Sequence, residues 1–258
     1  MKKNNLSLKI GWLYPDLMST YGDRGNIICL VKRCEWKGIK TKVIKIQQDT
    51  SLKLIESINI LFGGGAQDRQ QEIVMNDLKK NKGKVIKKLI EMNIPALFVC
   101  GSPQLMGNYY ETANGRIIKG VGIFNIITKN PGKNKKRCIG NIFAELETTN
   151  LNKNLLEEKN KKIFIVGFEN HGGRTYLLEN ILPLAKVIKG YGNNGQDKTE
   201  GMIYKNAIGT YLHGPFLSKN PEISDYLINT ALYVKYNRII KTKKLDNTLE
   251  ITAKQHVY

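Results

Sequence analysis

One cysteine stands where an apolar run meets a helix-forming segment. Residues 94–99 are mostly apolar and end at Cys100, and the small residues 101–103 follow at once. This order predicts a buried strand, a tight turn and a helix, with the thiol at the sheet's C-terminal edge. The partial positive charge of the helix N-terminus favours a thiolate there. Nucleophiles of α/β enzymes use such an elbow, and a buried core cysteine is the alternative.

A thiol nucleophile needs a base, and the chain has three histidines, His171, His213 and His256. His213 has the best context, because a glycine and a proline stop its predicted strand and leave the ring at a loop mouth. Its neutral form would take the thiol proton, and its charged form would return a proton to the leaving group. A structural role held by backbone hydrogen bonds is the alternative for His171 and His213, and His256 lies in a polar tail.

A tetrahedral intermediate also needs donors for its oxyanion. Residues 63–65 are three glycines directly after an apolar run, so N–H groups without side chains can approach a substrate there. We expect one donor at Gly64 or Gly65 and a second at Gly101, beside the thiol. A plain turn or a phosphate loop is the alternative, but this segment has neither a Walker lysine nor the spacing of a dinucleotide fingerprint.

These residues need a framework, and the first half of the chain alternates strand and helix patterns. Strands are predicted at 6–13, 41–46, 58–62 and 94–100, and helices at 23–36 and 67–92, the second with a break near Gly83. This rhythm predicts an α/β fold with a doubly wound, mostly parallel sheet.

After residue 110, recurring glycines and short β-prone runs predict an antiparallel extension. Strands at 163–168 and 207–212 and a helix at 221–237, with Asn220 as its N-cap, complete the pattern. We therefore predict a single domain over residues 1–237 and a polar tail, extended or partly disordered, over residues 238–258.

Length and composition place limits on the compartment. The chain has 258 residues, enough for one large α/β domain. No stretch is apolar enough to span a bilayer, and Lys9 and Pro15 interrupt the only candidate for a signal peptide. The four cysteines show neither a disulfide framework nor zinc-site spacing. These features predict a cytoplasmic protein.

The net charge of +19 admits three interpretations. Nucleic-acid binding is one, and attraction to an anionic membrane face or substrate is another. The third is a lysine- and asparagine-rich composition without a function, which we favour because the lysines are dispersed. Aromatic residues are not interleaved with them as base stacking requires, so no nucleic-acid partner is expected.

Three motifs occur together in one order: residues 62–67, residues 100–107 and His213. They resemble the class I, triad-type glutamine amidotransferases, in the branch of the cobyric acid synthases. Segments 21–27, 166–176, 190–194 and 209–215 are similar to those of the glutaminase subunits of lipid II isoglutaminyl synthases, and this resemblance covers nearly the whole chain. It implies a flavodoxin-like fold and hydrolysis of L-glutamine through a cysteine thioester.

The resemblance also implies roles for individual residues. Cys100 would be the nucleophile and His213 its base. Arg137 occupies the place of an arginine that binds the α-carboxylate of glutamine, although one more charge in a basic loop is its alternative. Gln104 would help to seat the amino-acid end of the substrate, unless it is an ordinary helix-surface amide.

The sequence motifs identify the third member of the triad less directly than the cysteine and the histidine. Many class I enzymes carry glutamate two residues after the histidine, and Pro215 stands there instead. Asp23 is the candidate that the resemblance implies, with N-capping of the following helix as its alternative. Glu222 and Asp225 are weaker candidates for the same role.

The resemblance further implies a division of labour between two subunits. This chain would need no metal or organic cofactor, and ATP and Mg²⁺ would act in a partner. That partner would be a MurT-like Mur ligase subunit in a heterodimer, which amidates D-glutamate of lipid II to D-isoglutamine in peptidoglycan synthesis. Peripheral contact with the inner membrane face would follow. A cobyrinate-type amidotransferase subunit and a non-catalytic binding protein of the same fold are the alternatives.

Overall fold

Short, apolar strands and amphipathic helices alternate along the chain in the computed structural model, which describes residues 6–132, 134–158 and 161–256. Within these residues the strands are β1 (Ser7–Leu13), β2 (Lys40–Ile46), β3 (Ile60–Gly63), β4 (Ala96–Val99), β5 (Tyr109–Glu111), β6 (Ile117–Lys119), β7 (Ile126–Lys129), β8 (Cys138–Leu146), β9 (Phe164–His171), β10 (Arg174–Leu177), β11 (Ala185–Lys189), β12 (Thr199–Glu200), β13 (Met202–Tyr204), β14 (Ala207–Thr210) and β15 (Leu212–His213). The α-helices are α1 (Arg24–Trp36), α2 (Leu52–Glu56), α3 (Asp68–Asp77), α4 (Gly83–Glu91), α5 (Gly101–Met106), α6 (Phe216–Lys219), α7 (Pro221–Tyr236) and α8 (Thr248–Gln255).

The main sheet has the strand order β13-β14-β4-β3-β1-β2, and only its edge pair β13–β14 is antiparallel. Strands β3 and β4 are buried along their whole length, as expected for a sheet covered on both faces. The predicted doubly wound α/β fold is therefore confirmed. Because β1, β3 and β4 are parallel neighbours, the loops that follow them meet at one edge of the sheet.

The strands that follow α5, except β13 and β14, form the predicted antiparallel extension. It consists of a sheet with the order β10-β7-β5-β6 and a sheet with the order β12-β11-β8-β9-β15. Within the first of these, β5 and β7 pair in parallel. Ile142 of β8 and Ile165 of β9 share a core with Ile60 and Leu97 of the main sheet. The extension is thus packed onto the main sheet.

Two predicted elements differ in the structure. The strand expected at 207–212 is divided: β14 pairs with β4 in the main sheet, whereas β15 pairs antiparallel with β9. The Leu212 N–H donates to Thr210 Oγ1 (3.1 Å), which turns the chain between the two sheets. The helix expected to break near Gly83 instead continues from α3 to α4 through a π-helical turn, Leu78–Lys82.

The C-terminal segment carries a helix, so the expectation of an extended or partly disordered tail is wrong for α8. Lys254 of this helix is buried, and its Nζ donates to the Phe164 carbonyl (3.0 Å) and to Glu222 Oε2 (2.7 Å). The charged end of a lysine can be buried against the body of the protein when neighbouring residues supply acceptors for its N–H groups. Over the described ranges, no helix has the length and hydropathy needed to cross a bilayer.

Candidate active site

Cys100 is the corner between β4 and α5. Its backbone has φ 55° and ψ −99°, a conformation that a residue with a side chain rarely adopts. The Cys100 N–H donates to the Thr210 carbonyl (2.8 Å), so the corner is held by the neighbouring strand. Such strain costs roughly 1–3 kcal/mol and is concentrated at functional sites. The half-buried thiol therefore has the setting of a nucleophile elbow.

His213 lies in β15 with its ring almost completely buried, at 1% exposure. Its Nδ1 is 2.9 Å from Oδ1 of Asp23, which is fully buried. The other oxygen of that carboxylate, Oδ2, accepts the N–H of Gly65 (2.6 Å). A Cβ placed on Gly65 would meet His213 Cε1 at 3.1 Å, Asp23 Oδ2 at 3.2 Å and Cys100 Cβ at 3.3 Å. The thiol, the imidazole and the carboxylate therefore converge on this glycine.

The charge state of His213 follows from its neighbours. Burial lowers its pKa, but the hydrogen bond to Asp23 and the interaction with Cys100 outweigh burial and raise the pKa to about 10. These neighbours therefore favour the protonated form of the ring. Although Cys100 is near enough to affect this pKa, no acceptor in the described part of the chain forms a well-aligned hydrogen bond with the buried Nε2.

Asp23 uses its carboxylate for the histidine rather than for the helix that follows. It occupies the N-cap position of α1, but its side chain makes no capping hydrogen bond. The weaker candidates lie elsewhere: Glu222 pairs with Lys254, and Asp225 pairs with Arg33 (2.7 Å). Among the three carboxylates considered from the sequence, the structure brings only Asp23 to His213.

The glycine loop is tied to the elbow on one side and to Asp23 on the other. Ser102 Oγ donates to the Gly64 carbonyl (2.7 Å), which fixes the loop against the first turn of α5. The Gly65 N–H is already donated to Asp23 and is not free for a substrate. The expectation that Gly65 supplies an oxyanion donor is therefore not supported by this geometry. Of the two glycines expected in this role, only Gly64 is still a candidate.

A cavity of about 810 Å³ opens beside Cys100. Arg137 lies in its wall, where Asn170 Oδ1 accepts from Arg137 Nε (3.1 Å) and Nη2 (2.9 Å). The basic guanidinium and the thiol thus line one cavity, which is the arrangement needed to hold a carboxylate at a distance from the reacting carbon.

Gln104 lines the same cavity, but both ends of its amide are engaged. Its Nε2 donates to Tyr211 Oη (3.1 Å), and its Oε1 accepts from Gln71 Nε2 (3.0 Å). His171 also lies in this wall, stacked on Tyr211 with ring centroids 4.0 Å apart. The structure therefore places Gln104 in a polar network behind the cavity and not on an exposed helix surface.

Sequence reasoning missed several residues of this region. The ring of Tyr21 stands edge-on to His213, with centroids 4.9 Å apart, and Thr20 and Gln71 donate to the carbonyls of Gly65 and Ala66, respectively. Tyr21 lies inside a segment noted for its resemblance, whereas Thr20 and Gln71 carried no signal. In residues 6–132, 134–158 and 161–256, no group of three or more His, Cys, Asp or Glu side chains is arranged to hold a metal ion.

The family follows from comparison with known proteins. A CobB/CobQ-like glutamine amidotransferase domain matches residues 9–221. The chain therefore belongs to this family of glutamine amidotransferases, as its motifs predicted.

Two relatives are similar over nearly their whole length. The subunit GatD of the lipid II isoglutaminyl synthase (glutamine-hydrolyzing) of Staphylococcus aureus is 40% identical, with 96% of this chain and 93% of the relative covered. The GatD subunit of Streptococcus pneumoniae is 36% identical, with 94% and 87% covered. A chain in the structure of PurLQS from Thermotoga maritima has a TM-score of 0.55 at 15% identity, with 90% of this chain and 99% of that chain covered, which shows a shared fold.

Proposed function

We propose that this protein is the glutaminase subunit of a lipid II isoglutaminyl synthase. It hydrolyses L-glutamine to glutamate and ammonia, and a partner subunit uses the ammonia. The observation that carries this proposal is the convergence of Cys100, His213 and Asp23 on Gly65, at the edge of a cavity that also contains Arg137. The similarity to GatD subunits supports the particular synthase.

The proposed reaction begins with the Cys100 sulfur, which attacks the side-chain amide carbon of glutamine as a thiolate. The carbonyl π electrons move to the oxygen, and backbone N–H groups beside Cys100 stabilise the resulting oxyanion. When the intermediate collapses, the C–N bond breaks and the proton on His213 Nε2 passes to the leaving nitrogen, which departs as ammonia. A thioester on Cys100 remains.

Water completes the cycle. Neutral His213 takes a proton from water, and the hydroxide attacks the thioester carbon. The C–S bond then breaks, glutamate is released, and the thiolate and the protonated imidazole are restored. Asp23 orients the imidazole and stabilises its charged form throughout.

The substrate would be held by its amino-acid end. The Arg137 guanidinium would bind the α-carboxylate, and Asn170 already orients that guanidinium. Gln104 would shape the wall behind the amino-acid end, because Gln71 and Tyr211 engage its amide.

Ammonia release from L-glutamine tests the proposal, with Cys100→Ala as the inactive variant. Cys29→Ala is the matched control, since Cys29 is also a half-buried free thiol. A glutamine analogue with an electrophilic side chain should add one adduct to the wild type, and peptide mass should locate it on Cys100. Ammonia release that persists in Cys100→Ala, or an adduct on another residue, would contradict the proposal.

The proposed partner is a MurT-like Mur ligase subunit, which would bind ATP and Mg²⁺ and amidate D-glutamate of lipid II. This chain would need no cofactor of its own. Co-purification of the two subunits, followed by glutamine- and ATP-dependent amidation of lipid II, tests the pairing. With free ammonia in place of glutamine, the complex containing Cys100→Ala should still amidate lipid II. Failure of the wild-type complex to amidate lipid II would refute the pairing.

The complex would work at the inner membrane face, where lipid II lies. Although the lysines are dispersed along the chain as a whole, Lys79, Lys80 and Lys84 are exposed within one short stretch of the α3–α4 region, which supports this. Clustered lysines attract anionic headgroups, and salt weakens this attraction. We expect binding to anionic vesicles that falls as salt rises and is weaker after these lysines are changed to glutamate.

A matched variant separates a local surface from overall charge. Lys153, Lys198 and Lys241 are exposed on other segments, and their change to glutamate alters the net charge equally. Equal loss of binding in both triple variants, or equal binding to neutral and anionic vesicles, would rule out the α3–α4 surface.

A further inference from the structure

The peptide unit between Gly65 and Ala66 is held by Thr20. Thr20 makes two hydrogen bonds to the Gly65 carbonyl, from its backbone N–H (3.2 Å) and from its Oγ1 (3.0 Å). Thr20 belongs to a one-turn 3₁₀ segment, Thr20–Gly22, whose Tyr21 has a left-handed backbone at φ 54°. A carbonyl that accepts two hydrogen bonds from one residue has little freedom to rotate.

Fixing this carbonyl also fixes the next N–H. In a trans peptide the carbonyl of Gly65 and the N–H of Ala66 point to opposite sides of one rigid plane, and no peptide bond in the described ranges is cis. The Ala66 nitrogen lies next to the elbow: it is 3.0 Å from the position that a Cβ on Gly101 would take, as is the Ala66 carbonyl oxygen. Ala66 also lines the cavity that contains Cys100.

The following peptide is held as well. Gln71 Nε2 donates to the Ala66 carbonyl (3.0 Å) and to Gln104 Oε1 (3.0 Å). The Gly65 N–H is taken by Asp23, and no acceptor among the described residues takes the Ala66 N–H. The loop therefore presents the Ala66 N–H beside the elbow, with its orientation set from both ends.

We propose that Ala66 supplies the loop's oxyanion donor, together with Gly101, and that Thr20 is the positioning residue that aims it. This inference rests on the proposed glutamine hydrolysis. It adds to that proposal the residue of the glycine-rich loop that donates to the oxyanion beside Gly101. Because the tetrahedral oxyanion forms only during the reaction, Thr20 contributes to the chemical step and not to the binding of glutamine.

Thr20→Val tests the proposal, because it removes the Oγ1 hydrogen bond while keeping the shape of the side chain. We expect kcat for glutamine to fall roughly 10-fold, less than the loss of a whole oxyanion donor, with KM changed less than about twofold. Affinity for L-glutamate γ-semialdehyde, whose thiohemiacetal with Cys100 carries the same oxygen, should fall in parallel. Alkylation of Cys100 by iodoacetamide forms no oxyanion and should keep its rate.

Two further variants complete the test. Thr20→Ser keeps the hydroxyl and should restore kcat, and Thr50→Val is the control, since Thr50 is a half-buried loop threonine after β2. If valine at position 20 prevents folding, Thr20→Ala removes the hydroxyl with a smaller side chain and repeats the measurement.

The outcomes separate the inference from the function on which it rests. An active wild type with unchanged kcat and semialdehyde affinity in a folded Thr20→Val refutes the role of Thr20. Equal losses in kcat, glutamine affinity and alkylation rate also refute it, because they indicate general disorder of the site. A wild type that neither hydrolyses glutamine with its partner present nor binds the semialdehyde refutes the proposed function, and the inference with it.

Discussion

Asp23 joins two parts of the candidate site with its two carboxylate oxygens. Oδ1 is bonded to the imidazole of His213, and Oδ2 accepts the N–H of Gly65. A fully buried carboxylate without such partners would be costly, so each partner also keeps Asp23 in place. The same side chain therefore fixes the orientation of the imidazole and the position of the glycine loop.

Asp23→Asn should move the alkaline limb of the glutaminase pH profile to lower pH. Asp23 and Cys100 together raise the pKa of His213 to about 10, so losing the carboxylate lowers it. Expulsion of ammonia needs the protonated ring; activity is therefore present below this pKa and lost as the pH rises through it. We also expect kcat to fall by about 10²–10⁴-fold, as for other triads that lose this carboxylate.

Initial rates of ammonia release between pH 6 and 11 would measure this shift. Asp16→Asn is the control, because Asp16 is exposed and bonds only to Gln47 among the contacts in the described ranges. An alkaline limb that stays in place in Asp23→Asn would mean that another group sets the charge of the imidazole.

At the scale of elements, Asn220 connects the last helices to the antiparallel sheet. It precedes α7 as predicted, but its side chain makes no capping hydrogen bond. Instead its Oδ1 accepts the Val166 N–H (3.0 Å), and its Nδ2 donates to the carbonyls of Val166 (2.8 Å) and Phe216 (2.8 Å). This fully buried amide thus fastens α6, which follows His213, to β9.

Asn220→Ala should lower the free energy of unfolding by about 2–4 kcal/mol, because buried backbone groups at Val166 and Phe216 lose their partner. Urea denaturation at neutral pH measures this change. Asn76→Ala is the control, since Asn76 is exposed on α3 and such substitutions usually change stability by less than about 0.5 kcal/mol. Similar values for the two variants would show that β9 does not depend on this amide.

At the scale of the whole molecule, one apolar core links the main sheet to the antiparallel extension. Ile60 and Leu97 from the parallel strands and Ile142 and Ile165 from the extension are all fully buried in the same cluster. A sheet that shares its core with another cannot be exposed without uncovering apolar surface on both. The site residues on the main sheet and those on the extension are therefore supported by the same hydrophobic core.

This shared core predicts that β4 and β9 unfold together. Native-state hydrogen exchange under increasing denaturant should give their slowest amides the same free energy of opening. Exchange of β9 at a distinctly lower free energy than β4 would instead show that the extension opens as an independent unit.

Local order along the chain was sufficient to predict the elbow at Cys100, the glycine loop and the alternation of strands and helices. These features depend on periodicity and on turn chemistry within a few residues, so they can be predicted from the local sequence. The rule that parallel strands align their C-terminal ends then brings the elbow and the loop together. The motifs were also long enough to indicate the family.

Long-range packing settled the rest. Asp23 and His213 are 190 residues apart, and three carboxylates were compatible with the sequence. One of them became the triad candidate and the other two form ion pairs between helices, and this outcome depends on how α1, α7 and α8 dock. The turn at Tyr211 that moves the chain from β14 to β15, and the engagement of the Gly65 N–H by Asp23, arise likewise from contacts between distant segments. Such contacts leave no periodic trace, because each side chain meets its partner only after the sheets have packed.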